Sequence, residues 1–198
     1  MGLNLEYIYG QTPLDDDEKQ GLKIRTISTR GDLNEFEQLN IEKAIEWIMT
    51  KDFSMDYILS EVFIKELHKR MFADVWDWAG AFRKTNKNLG VDKHNIAIEL
   101  RQLLDDCLYW IENDIYSEDE ITIRFKHRIV NIHPFPNGNG RHSRLMSDII
   151  SEKIFQKTAF SWGVEEISKP GETRKIYIKA LQVADLGDYL PLISFARS

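Results

Sequence analysis

Residues 133–144 read His-Pro-Phe-Pro-Asn-Gly-Asn-Gly-Arg-His-Ser-Arg, joining a base, a glycine-rich turn and two guanidinium groups in one short stretch. His133 is a candidate general base, because an imidazole can take a proton from a hydroxyl near neutral pH. Gly138 and Gly140 let a ligand approach the backbone without a Cβ in the way. The amides of 138–141 fall at the start of an apolar helical pattern, where unpaired N–H groups and the helix dipole favour an anion. Arg141 and Arg144 add charged donors suited to phosphate oxygens. The local chemistry is that of a phosphate site beside a base. The competing interpretation is a glycine-rich helix connection with surface arginines. The joint occurrence of His, Gly, Asn and Arg disfavours it.

The elements that must hold this segment are helical. Ile121, Phe125, Ile129 and Ile132 precede it, and Leu145, Met146, Ile149 and Ile150 follow. Ser117 and Glu120 resemble a capping box opening the first of these helices. Ile121, Ile123 and Phe125 also alternate at period two, but the cap and the continuation through Ile129 favour helix. Periodicity predicts further helices over 34–50 (Ile41, Ala44, Ile45, Ile48) and 56–72 (Leu59, Phe63, Leu67, Met71, with Val62 alongside). It predicts two more over 94–112 (Ile96 to Ile111, with Cys107 on the stripe) and 172–184, the latter stopping near Gly187. A short last helix fits 188–196, with Asp188 as cap and Pro191 in its first turn. Residues 1–30 read as irregular, with Asp15-Asp16-Asp17-Glu18 as a solvated turn. Residues 82–98 carry the turn formers Asn86, Asn88 and Gly90 and read as an irregular hairpin.

The chain has 198 residues, 42% hydrophobic and 29% charged, which suits one globular unit with a substantial core. Its net charge of −6 argues against broad binding to nucleic acid or to anionic membranes. Arg124, Lys126, Arg128, Arg141 and Arg144 still allow a local basic site. No apolar run approaches the roughly 18 residues of a membrane span. The N-terminus lacks the pattern of a secretory signal, and nothing beyond Gly2 suggests myristoylation. The single cysteine, Cys107, fits a reducing, cytoplasmic setting. His68, His94, His127 and His142 have no ligand-like spacing and read as structural or surface residues, without a protein-only zinc site. Trp76, Trp78 and Trp110 read as packing residues, and Phe135 as a core anchor.

The motif resembles the core of Fic-domain (Fic/DOC) proteins, His-x-Phe-x-(Asp/Glu)-Gly-Asn-Gly-Arg-x-x-Arg. His133, Phe135, Gly138, Asn139, Gly140, Arg141 and Arg144 match, while Asn137 stands where the family has an acid. Trp78-Ala79-Gly80 with Arg83 is similar to the segment before the family's flap. The resemblance spans roughly 55–195, and residues 28–50 look like the subgroup called mobile mystery protein B. It implies an all-α bundle with a small β-hairpin flap, a Fic domain over 55–198 and an N-terminal extension and helix over 1–54.

The implied reaction moves AMP from ATP to a Ser, Thr or Tyr hydroxyl of a target protein docked on the hairpin near 83–97. Gly138, Asn139, Gly140 and Arg141 would then hold the phosphates, with Asn139 also a left-handed turn residue. Arg144 would stabilise the leaving side, and His133 would take the proton. The family's acid holds Mg²⁺; Asn137 offers only a neutral oxygen, so metal binding, to Mg²⁺ or Mn²⁺, should be weak or carried by ATP. The alternatives are another phosphate-group transferase on the same fold, or a nucleotide-binding or toxin–antitoxin-type module without turnover. A DNA-binding role fits poorly, and homo-oligomerisation is left open. The family's inhibitory (Ser/Thr)-x-x-x-Glu-(Gly/Asn) motif is absent. Glu35 or Glu37 is the candidate substitute, reaching Arg144 from the upstream helix.

Overall fold

The computed structural model describes residues 12–163 and 171–198, and within them the fold is all-α. The readings of residues 1–11, Gly2 included, lie outside the described residues. The central element is α6 (Glu118–Ile132). The Ser117 hydroxyl caps it, accepting the Glu120 N–H, and three acids in its first turn complement the dipole. It packs between α5 (Ile96–Glu112) and α7 (Asn139–Ile149). Ile121, Phe125 and Ile129 enter the main core with Phe63, Leu67, Leu100, Leu103 and Cys107. Ile123 points the other way, into a second core with Phe160, Trp162, Tyr177, Ala180 and Phe195. That second core belongs to α8 (Glu172–Asp185) and α9 (Leu190–Arg197). A helix buried on both sides is apolar at both periods, which explains why 121–125 also read as a strand.

α2 (Arg30–Met49) packs on α4 (Glu61–Phe72). The Thr29 hydroxyl accepts the Asp32 N–H, and the Asp32 carboxylate accepts the Thr29 N–H, so α2 opens with a reciprocal cap. Among the described residues, one short helix, α1 (Asp16–Gln20), precedes α2. The single helix expected over 56–72 is broken: α3 (Met55–Ile58) ends, and Ser60 caps α4 by accepting the Phe63 N–H at 3.1 Å. Two residues assigned to buried stripes, Ile45 and Val62, are exposed. The N-cap of α9 is Tyr189 rather than the expected Asp188, whose carboxylate, one residue earlier, accepts the Leu190 N–H at 3.0 Å.

The flap differs most from expectation. Residues 83–97 contain no β-hairpin; among the described residues the one β-type pairing is an isolated bridge between Leu22 and Trp76. Side chains take the groups that a ladder would use. The Asn86 amide oxygen accepts the Lys93 N–H at 2.8 Å, and Lys93 donates to the Lys84 carbonyl at 2.9 Å. Arg83 donates to the Thr85 and Val91 carbonyls, and Asp92 accepts the His94 N–H. With these groups satisfied locally, strand pairing offers little gain.

Asn40 fixes the α2–α4 contact. Its amide donates to the Arg70 carbonyl and its oxygen accepts the Asp74 N–H, both at 2.9 Å. Replacing Asn40 by Ala leaves both backbone groups unpaired and should lower stability by about 1–3 kcal/mol. Urea unfolding reads this directly, and an unchanged midpoint would show that these bonds do not hold the helices together.

Candidate active site

α6 ends at His133, whose backbone is left-handed (φ 54°, ψ 60°). The chain then turns through Pro134–Asn137 and enters α7 at Gly138, also left-handed at φ 78°. A Cβ at Gly138 would lie 2.6 Å from the Phe72 ring, so both the conformation and the space demand glycine. The loop is closed by Asn139, whose side chain accepts the Phe135 N–H at 3.0 Å and donates to the Phe135 carbonyl at 2.8 Å. Asn139 itself is helical, not left-handed, so that expected role falls to His133 and Gly138. Phe135 is fully buried and stacks on His68 at 3.7 Å.

The His133 ring is buried, and neither nitrogen has a hydrogen-bond partner. Gly90 presses against it from the flap: at φ 104°, a Cβ there would lie 2.7 Å from the His133 Cβ. Arg83 is buried beneath the junction. Its Nε donates to the His133 carbonyl at 2.7 Å, and its backbone N–H to the Pro134 carbonyl at 2.9 Å.

No side chain caps the start of α7. The first-turn amides of Asn139, Gly140 and Arg141 therefore have no capping side chain, and nothing lies within 4 Å of where a Cβ at Gly140 would sit. Arg141 lies over the Phe72 ring and pairs with Glu37 at 2.7 Å. Glu37 also accepts the Trp76 indole N–H at 2.6 Å and is buried, whereas Glu35 is exposed. The expected contact of these acids with Arg144 is therefore corrected: Glu37 reaches Arg141, because Trp76 fixes its carboxylate on that side. Arg144 is half-buried beside the Tyr177 ring, where Lys126 donates to the Tyr177 hydroxyl at 2.5 Å. The other cations of the segment are dispersed, Arg124 pairing with Glu120 and Arg128 with Asp106.

Asn137 is turned to internal partners. Its oxygen accepts the Gly138 N–H at 2.7 Å, and its nitrogen donates to the Thr12 carbonyl at 3.1 Å. No three His, Cys, Asp or Glu side chains cluster as metal ligands among the described residues. A neutral oxygen already engaged by an N–H is a poor Mg²⁺ ligand, so these residues do not fit a protein-held metal.

Two contributors escaped the sequence reading. His68 donates from Nε2 to the Asn137 carbonyl and accepts the Gly80 N–H at Nδ1, both at 3.0 Å, which fixes its tautomer and joins the flap segment to the motif. Arg83 had been noted only as part of a motif; its spacing from Trp78-Ala79-Gly80 was the available signal.

Residues 58–151 match the Fic/DOC family. That segment is a Fic/DOC domain. It is 30% identical over 141 residues to protein adenylyltransferase fic-1 of Caenorhabditis elegans, covering 67% of this chain and 25% of that protein. It is 26% identical over 162 residues to protein adenylyltransferase Fic of Drosophila grimshawi, covering 75% and 32%. The chain thus spans about a quarter to a third of the curated relatives it matches. Among solved structures, it superposes on the N-terminal FIC domain of Bep8 from Bartonella sp. 1-1C with a TM-score of 0.66 and 17% identity, covering 90% of each chain. BepC from Bartonella tribocorum, with bound AMPPNP, gives 0.65 and 16%, covering 92% of this chain and 97% of that one. The fold is the Fic fold.

In this Fic domain, burial sets the charge state of the histidines. It lowers His133 from 6.5 to about 4, helped by nearby Arg83 and opposed by the Val130 carbonyl, which lies outside hydrogen-bonding geometry. Burial likewise lowers His142 to about 4, although its ring bonds the Ile64 carbonyl at 3.0 Å, and holds His68 well below its ordinary value. His133 is therefore neutral at pH 7, as a base must be. Groups neutral when folded but protonated when unfolded weaken the native state as pH falls below 6.5 towards 4. Asp148 acts in the opposite direction, because burial raises it to about 6. Burial lowers His127 too, and four histidines against one carboxyl leave a net loss, about 1.4 kcal/mol per pH unit for each net proton taken up on unfolding. Urea midpoints measured from pH 7 to 4.5 should fall. A flat profile would mean that these rings are not buried neutral.

Proposed function

We propose that this chain is a protein adenylyltransferase. The nucleotide's phosphates lie against the first turn of α7, held by the amides of Gly138 to Arg141 and by Arg141 and Arg144. A target hydroxyl oxygen attacks the α-phosphorus, the bond to the pyrophosphate oxygen breaks, and the hydroxyl proton passes to His133. The observation that carries the reading is a buried imidazole with both nitrogens unpaired, one short loop away from an uncapped helix start. The names of the curated relatives support it, as does the AMPPNP in the BepC structure. Positioning and charge supply most of the rate in such transfers.

The divalent ion arrives as the ATP complex rather than on a protein carboxylate, so no step here is assigned to it. The protein target docks over 83–97, with residues 55–198 as the transferring unit and 1–54 as its extension. Glu37 regulates by holding Arg141, which a nucleotide must draw away. No helix among the described residues is long and apolar enough to cross a membrane. The buried free thiol of Cys107 supports a cytoplasmic setting.

One observation favours a second reading, a nucleotide-binding module without turnover: Asn137 lacks the family's charge and spends its oxygen on Gly138. Incubation of a host-type lysate with α- and γ-labelled ATP in parallel separates the readings. Transfer of the α-label alone is expected. His133→Ala should slow it by about 10²–10⁴ while leaving ATP affinity nearly intact. Transfer of the γ-label would assign a phosphoryl transferase; binding without transfer would assign the non-catalytic module.

A further inference from the structure

The acidic run near the N-terminus is solvated only in part: Asp16 and Asp17 are exposed, but Asp15 and Glu18 engage the flap. Asp15 accepts the Thr85 hydroxyl at 2.7 Å and pairs with Lys87 at 2.9 Å. Glu18 pairs with the same ammonium at 2.5 Å, and its carbonyl accepts the Trp78 indole N–H at 3.0 Å. The Thr12 carbonyl accepts the Asn137 amide at 3.1 Å. Residues 12–18 thus lie as a strap from the catalytic motif across the flap. The Lys87 side chain is 3% exposed under this cover, while Asp15 remains 47% exposed. The strap attaches largely through side chains of the loop it covers; of its own secondary structure it has only the one-turn α1.

Lys87 sits close enough to His133 for its charge to disfavour the imidazolium. Gly90 of the same loop packs against His133, so a segment bound at Lys87 and Thr85 lies on the loop that borders the imidazole. A cation buried on a loop requires a carboxylate partner, and here the chain supplies two, at positions i and i+3. Glu18 is only 11% exposed in this pair and Asp15 47%, so Lys87 cannot lose the strap without another carboxylate, which a segment offering the same groups supplies.

We propose that Thr85 and Lys87 form a recognition site for an acidic segment of the target protein, and that residues 12–18 occupy this site in cis until a target displaces them. The inference rests on the transferase reading for its meaning, but its test does not require transfer. The probe is a fluorescent peptide with the sequence of residues 12–22, and a control peptide with its acids replaced by amides. Anisotropy is measured without nucleotide, on the full chain.

Asp15→Asn with Glu18→Gln releases Lys87 in cis and should tighten binding of the acidic peptide by about tenfold over the parent. The amide peptide should bind neither protein. Adding Lys87→Glu should abolish the gain. Trp78→Phe removes the indole N–H that holds the Glu18 carbonyl, leaves Thr85 and Lys87 intact, and should give a smaller gain in the same direction should the double variant fail to fold. Equal affinity in parent and released variants overturns the proposal, as does a gain that survives Lys87→Glu or is shared by the amide peptide. Transfer activity can fail while this binding holds, and the reverse, so the two readings fall separately.

Discussion

The two hydrogen bonds from Asn139 to the Phe135 backbone close the loop between α6 and α7, and the site depends on that closure. The loop must reverse the chain between two buried helices, yet leave an imidazole unpaired at one end and an open helix start at the other. His133 adopts a left-handed conformation to do so, which costs a non-glycine residue roughly 1–2 kcal/mol. Such strain persists only where surrounding contacts over-determine it. Here Arg83 holds the His133 carbonyl from below, and His68 holds the Asn137 carbonyl from the side. The fold thus spends its polar side chains on backbone groups of the loop, so that the ligand-facing groups stay open.

The same logic accounts for the charges. Arg141 and Lys87 each have carboxylates supplied from an N-terminal element: Glu37 of α2 for the first, Asp15 and Glu18 for the second. Both acidic elements come from outside the segment that matches the family, residues 58–151. The family segment provides the cations and the unpaired imidazole; the N-terminal part of the chain supplies the carboxylates that pair with those cations. Asn137 connects the two, bonding Thr12 where an acid would be repelled by that carbonyl.

Most of the architecture was legible in the sequence, because α5, α6 and α7 each carry a buried apolar stripe and α6 a readable cap. The motif placed its own residues correctly at a helix junction, since glycine at 138 is dictated by local backbone geometry. What escaped was long-range. Nothing in the sequence tells that Glu37 meets Arg141, 104 residues away, rather than Arg144. The break at Ser60 was hidden by an apolar spacing that runs on through it. The flap misled because Asn86, read as a turn former, and Arg83, read as a motif residue, in fact satisfy the backbone together with Asp92 and remove the need for strands. The acidic run looked solvated because its partner, Lys87, is distant in the chain.

The central claim is that the first turn of α7 receives phosphates while His133 stays free. An amide-resolved NMR titration of the isotopically labelled chain with ATP tests it most directly. The account predicts that the Asn139, Gly140 and Arg141 amides shift furthest, with the His133 ring remaining neutral at saturation. Saturable ATP binding that moves another surface and leaves these three amides unshifted would contradict it.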